Sequence, residues 1–186
     1  MTPIEICNNL GSERIDSYYG ELSGKEVRAV LKAGGTSTSV PKTAYTKAAR
    51  LKAWRKRFDG ELSGGNTQLA LALLIEWLMR HHRQMLIDYL DFLEVDHRQG
   101  ETDDDFCETN SPEKLREGAT MLLGKYPPHE VATYLLLVGN LQETRVYEQT
   151  PELLTALGMS EADATASVAA SIAEHGEAKP KDADAD

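Results

Sequence analysis

TQLALALLIEWLMRHHRQMLIDYLDFLEVD, residues 67–96, is the longest part of the chain in which apolar side chains recur at helical spacing. At about 100° per residue, its large apolar side chains fall in one broad stripe on a helix. These residues are Leu71, Leu74, Ile75, Leu78, Met85, Leu86, Tyr89, Phe92 and Leu93. We therefore predict one long helix from Thr67 to Asp96, with a stripe wide enough to pack against more than one other helix.

Shorter helices with start and stop signals flank this stretch on both sides. Ser23 with Glu26 three residues later forms a capping box, and Gly34-Gly35 is a typical helix end. Ser111-Pro112 and Thr150-Pro151 place a capping residue before a proline in the first turn. The predicted helices span about residues 23–33, 42–58, 111–123, 129–142, 151–158 and 160–175.

The composition indicates an all-α protein. Hydrophobic residues make up 41% of the 186 residues, aromatic residues only 6%, and Leu and Ala dominate, which favours helices over a sheet. We expect an arm or short helix over 1–20, a basic helix–linker–helix module over 21–59, and a helical bundle domain over 66–145. A C-terminal helical pair over 150–175 and a disordered charged tail over 176–186 complete the predicted organisation.

Several classes of protein are disfavoured by simple features of the sequence. The start, MTPIEIC, lacks the basic region and apolar run of a secretory signal. The longest apolar run, Leu69 to Ile75, is too short to cross a bilayer. Cys7 and Cys107 are too few for a disulfide framework. We expect a cytoplasmic protein with no membrane partner.

The charge distribution is strongly uneven. The chain has a formal net charge of -10, yet seven Lys or Arg and no Asp or Glu lie between Pro41 and Phe58. A compact cationic segment in an acidic protein indicates an anionic partner.

A pattern of apolar, glycine and hydroxyl residues leads into this cationic run at Leu22, Val27, Val30-Leu31, Gly35, Ser37-Thr38-Ser39 and Lys42. Over residues 22–51 the chain resembles the SAP-type DNA-binding motif, which consists of a helix, an extended linker and a second helix. Val40 stands where the family has a glycine, and Tyr45 and Ala49 stand where it has leucines. The resemblance implies binding to the backbone and minor groove of duplex DNA, with limited sequence readout.

The same residues have a physical reason to bind nucleic acid. Linker hydroxyls and N–H groups can donate to phosphate oxygens, and the next helix N-terminus is positive. Lys and Arg side chains add a salt-dependent attraction. The predicted nucleic-acid-binding residues are Ser37, Thr38, Ser39, Lys42, Lys47, Arg50, Lys52, Arg55, Lys56 and Arg57. Trp54 shares the apolar face of this helix and is expected in the core.

Two alternatives explain the cationic segment or the remaining helices without DNA. The basic helix could pair with acidic parts of the same chain, such as Glu101, Asp103-Asp-Asp105 and the tail. Residues 67–175 could serve oligomerisation or a protein partner, which also fits a structural or protein-interaction protein with no nucleic-acid role.

A metal-dependent enzyme is a third alternative. His81 and Asp88 are seven residues apart on one predicted helix face, and Glu101, His97 or Asp103 could complete a metal site, although a surface ion pair explains the same residues. His82, in the middle of the apolar stripe, is expected to be buried and hydrogen-bonded. No phosphate loop, dinucleotide fingerprint or nucleophile elbow is present. We therefore predict a non-enzymatic protein without a cofactor.

Overall fold

The computed structural model describes residues 1–40 and 46–175, and the regular elements in these ranges are α-helices. The prediction of an all-α fold is confirmed. The helices are α1 (Pro3–Glu21), α2 (Gly24–Ala33), α3 (Lys47–Ser63), α4 (Thr67–His81), α5 (Arg83–Leu93), α6 (Phe106–Thr109), α7 (Pro112–Leu123), α8 (Pro128–Leu141), α9 (Pro151–Leu157) and α10 (Glu161–His175). The predicted tail, 176–186, lies outside the described residues, and none of the described helices is long and apolar enough to cross a membrane.

The single helix predicted for residues 67–96 is wrong, because the chain leaves the helix at His82. This residue has φ −126° and ψ 21°, so α4 ends before it and α5 begins after it. Its Nδ1 lies 2.9 Å from Oε2 of Glu130 in α8, and its ring contacts Trp77 with 4.0 Å between centroids. The second helix also stops early, at Leu93, because Glu94 has a left-handed φ of 61°.

Residues 1–20, expected as an arm or short helix, form most of α1. A capping box between Thr2 and Glu5 starts the helix, and Gly11 interrupts it with φ 76°. Ile6 and Tyr18 are buried, and the Tyr18 ring stacks on Trp77 with centroids 3.6 Å apart. Polar residues between the buried ones, and a kink that shifts the phase of the pattern, hide this helix in the sequence.

The basic helix pair shares one hydrophobic core with the helices that follow it. Val27 and Leu31 of α2 and Phe58 of α3 belong to the same buried cluster as the core residues of α4–α9. A Cβ on Gly34, just after α2, would lie 2.7 Å from the Cα of Leu69. This close approach fixes the end of α2 against α4.

In the C-terminal half, the helices begin close to the predicted residues. The Ser111 hydroxyl accepts a hydrogen bond from the Lys114 N–H and caps α7. Every residue of α8 from Val131 to Leu137 is buried, which makes α8 the second central helix after α4. The last helix, α10, is mostly exposed and packs on α9.

Candidate nucleic-acid interface

An open groove of about 700 Å³ runs between α2 and α3. Its floor is made of small or apolar groups, including Gly24, Ala29, Leu51 and Trp54. Among the described residues that line it, none is acidic. The cations on its walls are Lys25, Arg28 and Lys32 from α2 and Lys47 and Arg50 from α3.

The three α2 cations were missed by the sequence analysis. Lys25, Arg28 and Lys32 are spaced three and four residues apart, which puts them on one face of a helix. From Ser23 to Arg57 the sequence has ten Lys or Arg and a single acid, Glu26. That acid accepts a hydrogen bond from the Ser23 N–H at 2.6 Å in the capping box. Helical spacing upstream of Pro41 was the signal that would have revealed this second wall.

The predicted cations of α3 fall into two groups. Lys47, Arg50, Lys52 and Lys56 are exposed, and none forms an ion pair with another described residue. Lys47 and Arg50 line the groove, while Lys52 and Lys56 are exposed on the same helix outside it. Lys42 lies outside the described residues.

Arg55 does not join the cationic surface. Its Nε donates to Oδ1 of Asp59 at 2.8 Å, and its Nη2 pairs with Asp16 of α1. The guanidinium also lies over the Tyr19 ring, 4.4 Å from the centroid. Arg55 therefore connects α3 to α1 through these contacts and does not line the groove.

Arg57 and Trp54 hold the hydroxyl-rich linker against α3. Arg57 Nη1 donates to the carbonyl oxygens of Ser37 and Ser39, the latter at 2.7 Å. The Trp54 Nε1–H donates to the carbonyl of Thr38 at 3.0 Å. Three successive carbonyls thus accept hydrogen bonds from α3 side chains. Ser37 and Ser39 remain exposed, and their hydroxyls lie 2.8 Å apart.

The described acidic residues proposed as internal partners form no ion pair with the basic helix. Glu101 pairs with Arg83 of α5, with 3.5 Å between Oε1 and Nη2. In the part of the chain that the structure describes, no ion pair joins α3 to Glu101 or to Asp103–Asp105. The same alternative for the tail falls outside the described residues.

The candidate metal ligands are distributed over separate surface contacts. Burial works against ionisation of Asp88, but hydrogen bonds from Lys125, Tyr126 and Gln84 lower the pKa of its carboxyl. His97 Nε2 lies 3.1 Å from Oδ1 of Asp91. Within residues 1–40 and 46–175, no three His, Cys, Asp or Glu side chains come together as a metal site.

The described residues between α2 and α3 are not helical. Residues 36–40 belong to no helix and connect α2 towards α3, which begins at Lys47 after the Thr46 cap. Trp54, expected in the core, is only 9% exposed. The resemblance to the SAP-type motif stays a prediction. Comparison with known proteins finds no matching protein-family model, no matching curated protein and no matching solved structure.

Proposed function

We propose that the groove between α2 and α3 binds the phosphate backbone of duplex DNA. The observation that carries the proposal is the set of five cations on its walls, none of which forms an ion pair with another described residue, in a chain of net charge -10. Like charges gathered without counter-charges repel one another, and a bound polyanion relieves that repulsion. Among the described residues, no acidic side chain lines the groove or forms an ion pair with these five cations.

The arrangement of the cations favours a chain of phosphates over one small anion. Lys25 and Lys32 are separated by about 10 Å along the axis of α2, at 1.5 Å per residue. Successive phosphates of one DNA strand are spaced about 3.4 Å along the duplex axis, so several could be contacted over this length. Lys47 and Arg50 face them from the opposite wall, which suits one backbone strand lying between the helices.

The groove has little capacity to read bases. Proteins that bind single strands generally stack bases on exposed aromatic rings. Trp54 is the aromatic residue among those lining the groove, and its ring is buried with its N–H bonded to Thr38. Contacts to phosphates position a protein but carry no sequence information. We therefore propose duplex binding with weak sequence preference.

Salt dependence of DNA binding by the full-length chain tests the proposal. For five phosphate contacts, the slope of log K against log salt should be about −4.5, measured by anisotropy of a labelled duplex from about 50 mM salt upward. Replacing Lys47 and Arg50 together by Gln should weaken binding and make the slope shallower by about 2.

A matched double variant separates the groove from net charge. Arg98→Gln with Arg145→Gln also removes two positive charges, and both residues are exposed and do not line the groove. This control should retain the slope of the unmodified chain. Absence of binding at about 50 mM salt, or equal losses in the two double variants, would exclude the groove as a DNA site.

We also propose that the chain acts by binding and not by catalysis, in the reducing cytoplasm. Both cysteines are free thiols. Burial raises the pKa of Cys7 to about 12 and the pKa of Cys107 to about 11, so neither is a nucleophile near neutral pH. Slow modification of both thiols by a thiol reagent at neutral pH, with fast modification after unfolding, is the expected outcome.

A further inference from the structure

A second groove, of opposite character, lies between α4 and α8. It has a volume of about 370 Å³ and a floor of buried apolar side chains, among them Leu86, Leu90 and Phe106. Its rim carries Ile75 and Leu141, which are 39% and 51% exposed. Among the described residues there are three exposed large hydrophobic side chains, and two of them border this groove.

The apolar residues of the groove follow the axes of its two helices. Ile75 and Met79 are one turn apart on α4, and Val138 and Leu141 are one turn apart on α8. Two ridges of this kind, with a trough between them, are the usual receptor for the apolar face of an amphipathic helix.

One wall of the groove is acidic. Glu101, Thr102 and Asp103 line it, in a segment that runs from residue 94 to residue 108. This segment contains seven Asp or Glu and one Arg. Arg83 pairs with Glu101 and Lys114 pairs with Glu94, which leaves five acids of the segment against its one Arg. Anionic membranes and nucleic acids are disfavoured here, and positively charged partners are favoured.

We propose that this groove docks a basic amphipathic helix from a partner protein. Apolar side chains of that helix enter the trough between Ile75 and Leu141. Its Lys and Arg side chains face the acidic segment 94–108. This docking site is separate from the α2–α3 groove and stands independently of DNA binding.

A second copy of this chain is a poor occupant on the same chemistry. The apolar side chains of α2 and α3 that accompany their cations are buried in the core, including Val30, Trp54 and Phe58. The exposed Ile172 lies on α10, whose first turn is acidic and whose range contains no Lys or Arg. Among the described helices, α4 has both an exposed large apolar side chain, Ile75, and an exposed cation, Arg80. However, Ile75 belongs to the groove itself, and Arg80 is paired with Glu76.

Two synthetic peptides of about 18 residues, or five helical turns, provide the probe. They share the same leucine stripe, and one has Lys at every polar position where the other has Glu. The full-length chain should bind the Lys peptide and not the Glu peptide, measured by anisotropy of a labelled peptide. Leu141→Asp should weaken binding at least about tenfold, because it places a charge in the apolar contact.

The control is Ile172→Asp, which changes an equally exposed apolar residue outside the groove and should leave the affinity unchanged. Both variants add one negative charge to the chain. If net charge alone attracted the Lys peptide, neither variant would bind it more weakly. Lys47→Gln with Arg50→Gln should also leave peptide binding unchanged. Far-UV circular dichroism establishes that each variant keeps its helix content.

Three outcomes would overturn the docking proposal. The first is that the chain binds the two peptides equally well, or binds neither of them. The second is unchanged binding of the Lys peptide to Leu141→Asp. The third is self-association of the full-length chain in light scattering that Leu141→Asp abolishes, because the occupant would then be a second copy.

Discussion

Two glycines inside helices have opposite surroundings and should respond oppositely to alanine. A Cβ on Gly118 of α7 would lie 2.6 Å from Cε2 of Tyr89, whereas a Cβ on Gly60 of α3 would meet nothing within 4 Å. We expect Gly118→Ala to lower the free energy of unfolding by about 1–3 kcal/mol through overpacking. Gly60→Ala should raise it by about 0.5–1 kcal/mol, since alanine is the better helix former. Urea unfolding of both variants checks this, and stabilisation by Gly118→Ala would contradict the tight α5–α7 contact.

His82 should make the fold less stable as the pH falls. Burial lowers the pKa of its imidazole, although the nearby carboxyl of Glu21 opposes this and the Glu130 carboxylate lies 2.9 Å from Nδ1. Its Nε2 is buried without a partner among the described residues, so a proton there would add an unsatisfied N–H. The unfolded chain, with an ordinary histidine pKa of about 6.5, binds the proton more readily, so stability decreases as pH falls through this value.

Unfolding free energies between about pH 7.5 and 6 measure this effect. The decrease should be smaller in His82→Gln, where His129 still contributes because burial lowers its pKa too. Burial raises the pKa of Glu130, which has the opposite effect at lower pH, and so the measurement stops at about pH 6. An identical pH dependence in the variant and the unmodified chain would assign the effect to other groups.

At the scale of single elements, the sequence indicated helix starts better than helix ends. Ser23, Ser111 and the proline after Thr150 are local signals whose chemistry is complete within four residues. The break at His82 depends on Glu130, which lies 48 positions later, and no local pattern contains that information. The end predicted at about residue 58 for the basic helix is also wrong, because α3 continues through the exposed Gly60 to Ser63.

The two faces of α3 were only partly predictable. Its buried residues, Trp54 and Phe58, follow from apolar spacing. The roles of its arginines do not, because Arg55 is directed by Asp16 and Tyr19 of α1, and Arg57 by the carbonyls of the linker. A row of cations in a sequence therefore overstates the number available to a ligand.

The contacts of Arg57 predict how firmly the linker is held. We expect Arg57→Ala to accelerate amide hydrogen exchange across residues 36–40, because two carbonyls lose their donor. Lys56→Ala is the control, since Lys56 is exposed and forms no ion pair with a described residue. Hydrogen–deuterium exchange with mass spectrometry gives the comparison. Equal exchange in the two variants would show that Trp54 alone holds the linker.

For the whole molecule, the shared core predicts one cooperative unfolding transition. Trp54 reports on α3 and Trp77 on α4, and both rings belong to the same buried cluster. In Trp54→Phe and Trp77→Phe, the remaining tryptophan should give a fluorescence midpoint equal to the midpoint from far-UV circular dichroism of the same variant. An earlier loss of Trp54 fluorescence would instead show that α2 and α3 unfold as a separate unit.

The separation of charge across the molecule was visible in part from composition alone. The run of cations after Pro41 and the acids around Asp103 are evident in the sequence. The two grooves were not evident in the sequence. They form only because α2, α3 and α8 pack on α4. The sequence therefore predicted the charge of the proposed partners, and the tertiary structure indicated where we propose that they bind.

The contrast between a cationic groove and a net charge of -10 has a consequence for kinetics. Beyond a Debye length of about 10 Å at 0.1 M salt, both the attraction of the groove cations and the repulsion of the net charge are largely screened. Encounter should therefore be unsteered, with an association rate constant of about 10⁵–10⁶ M⁻¹ s⁻¹ that changes little with salt. Added salt should act mainly by shortening the lifetime of the complex. Stopped-flow traces at two salt concentrations would separate these rates, and an association rate that collapsed with salt would show that the groove attracts DNA from a distance.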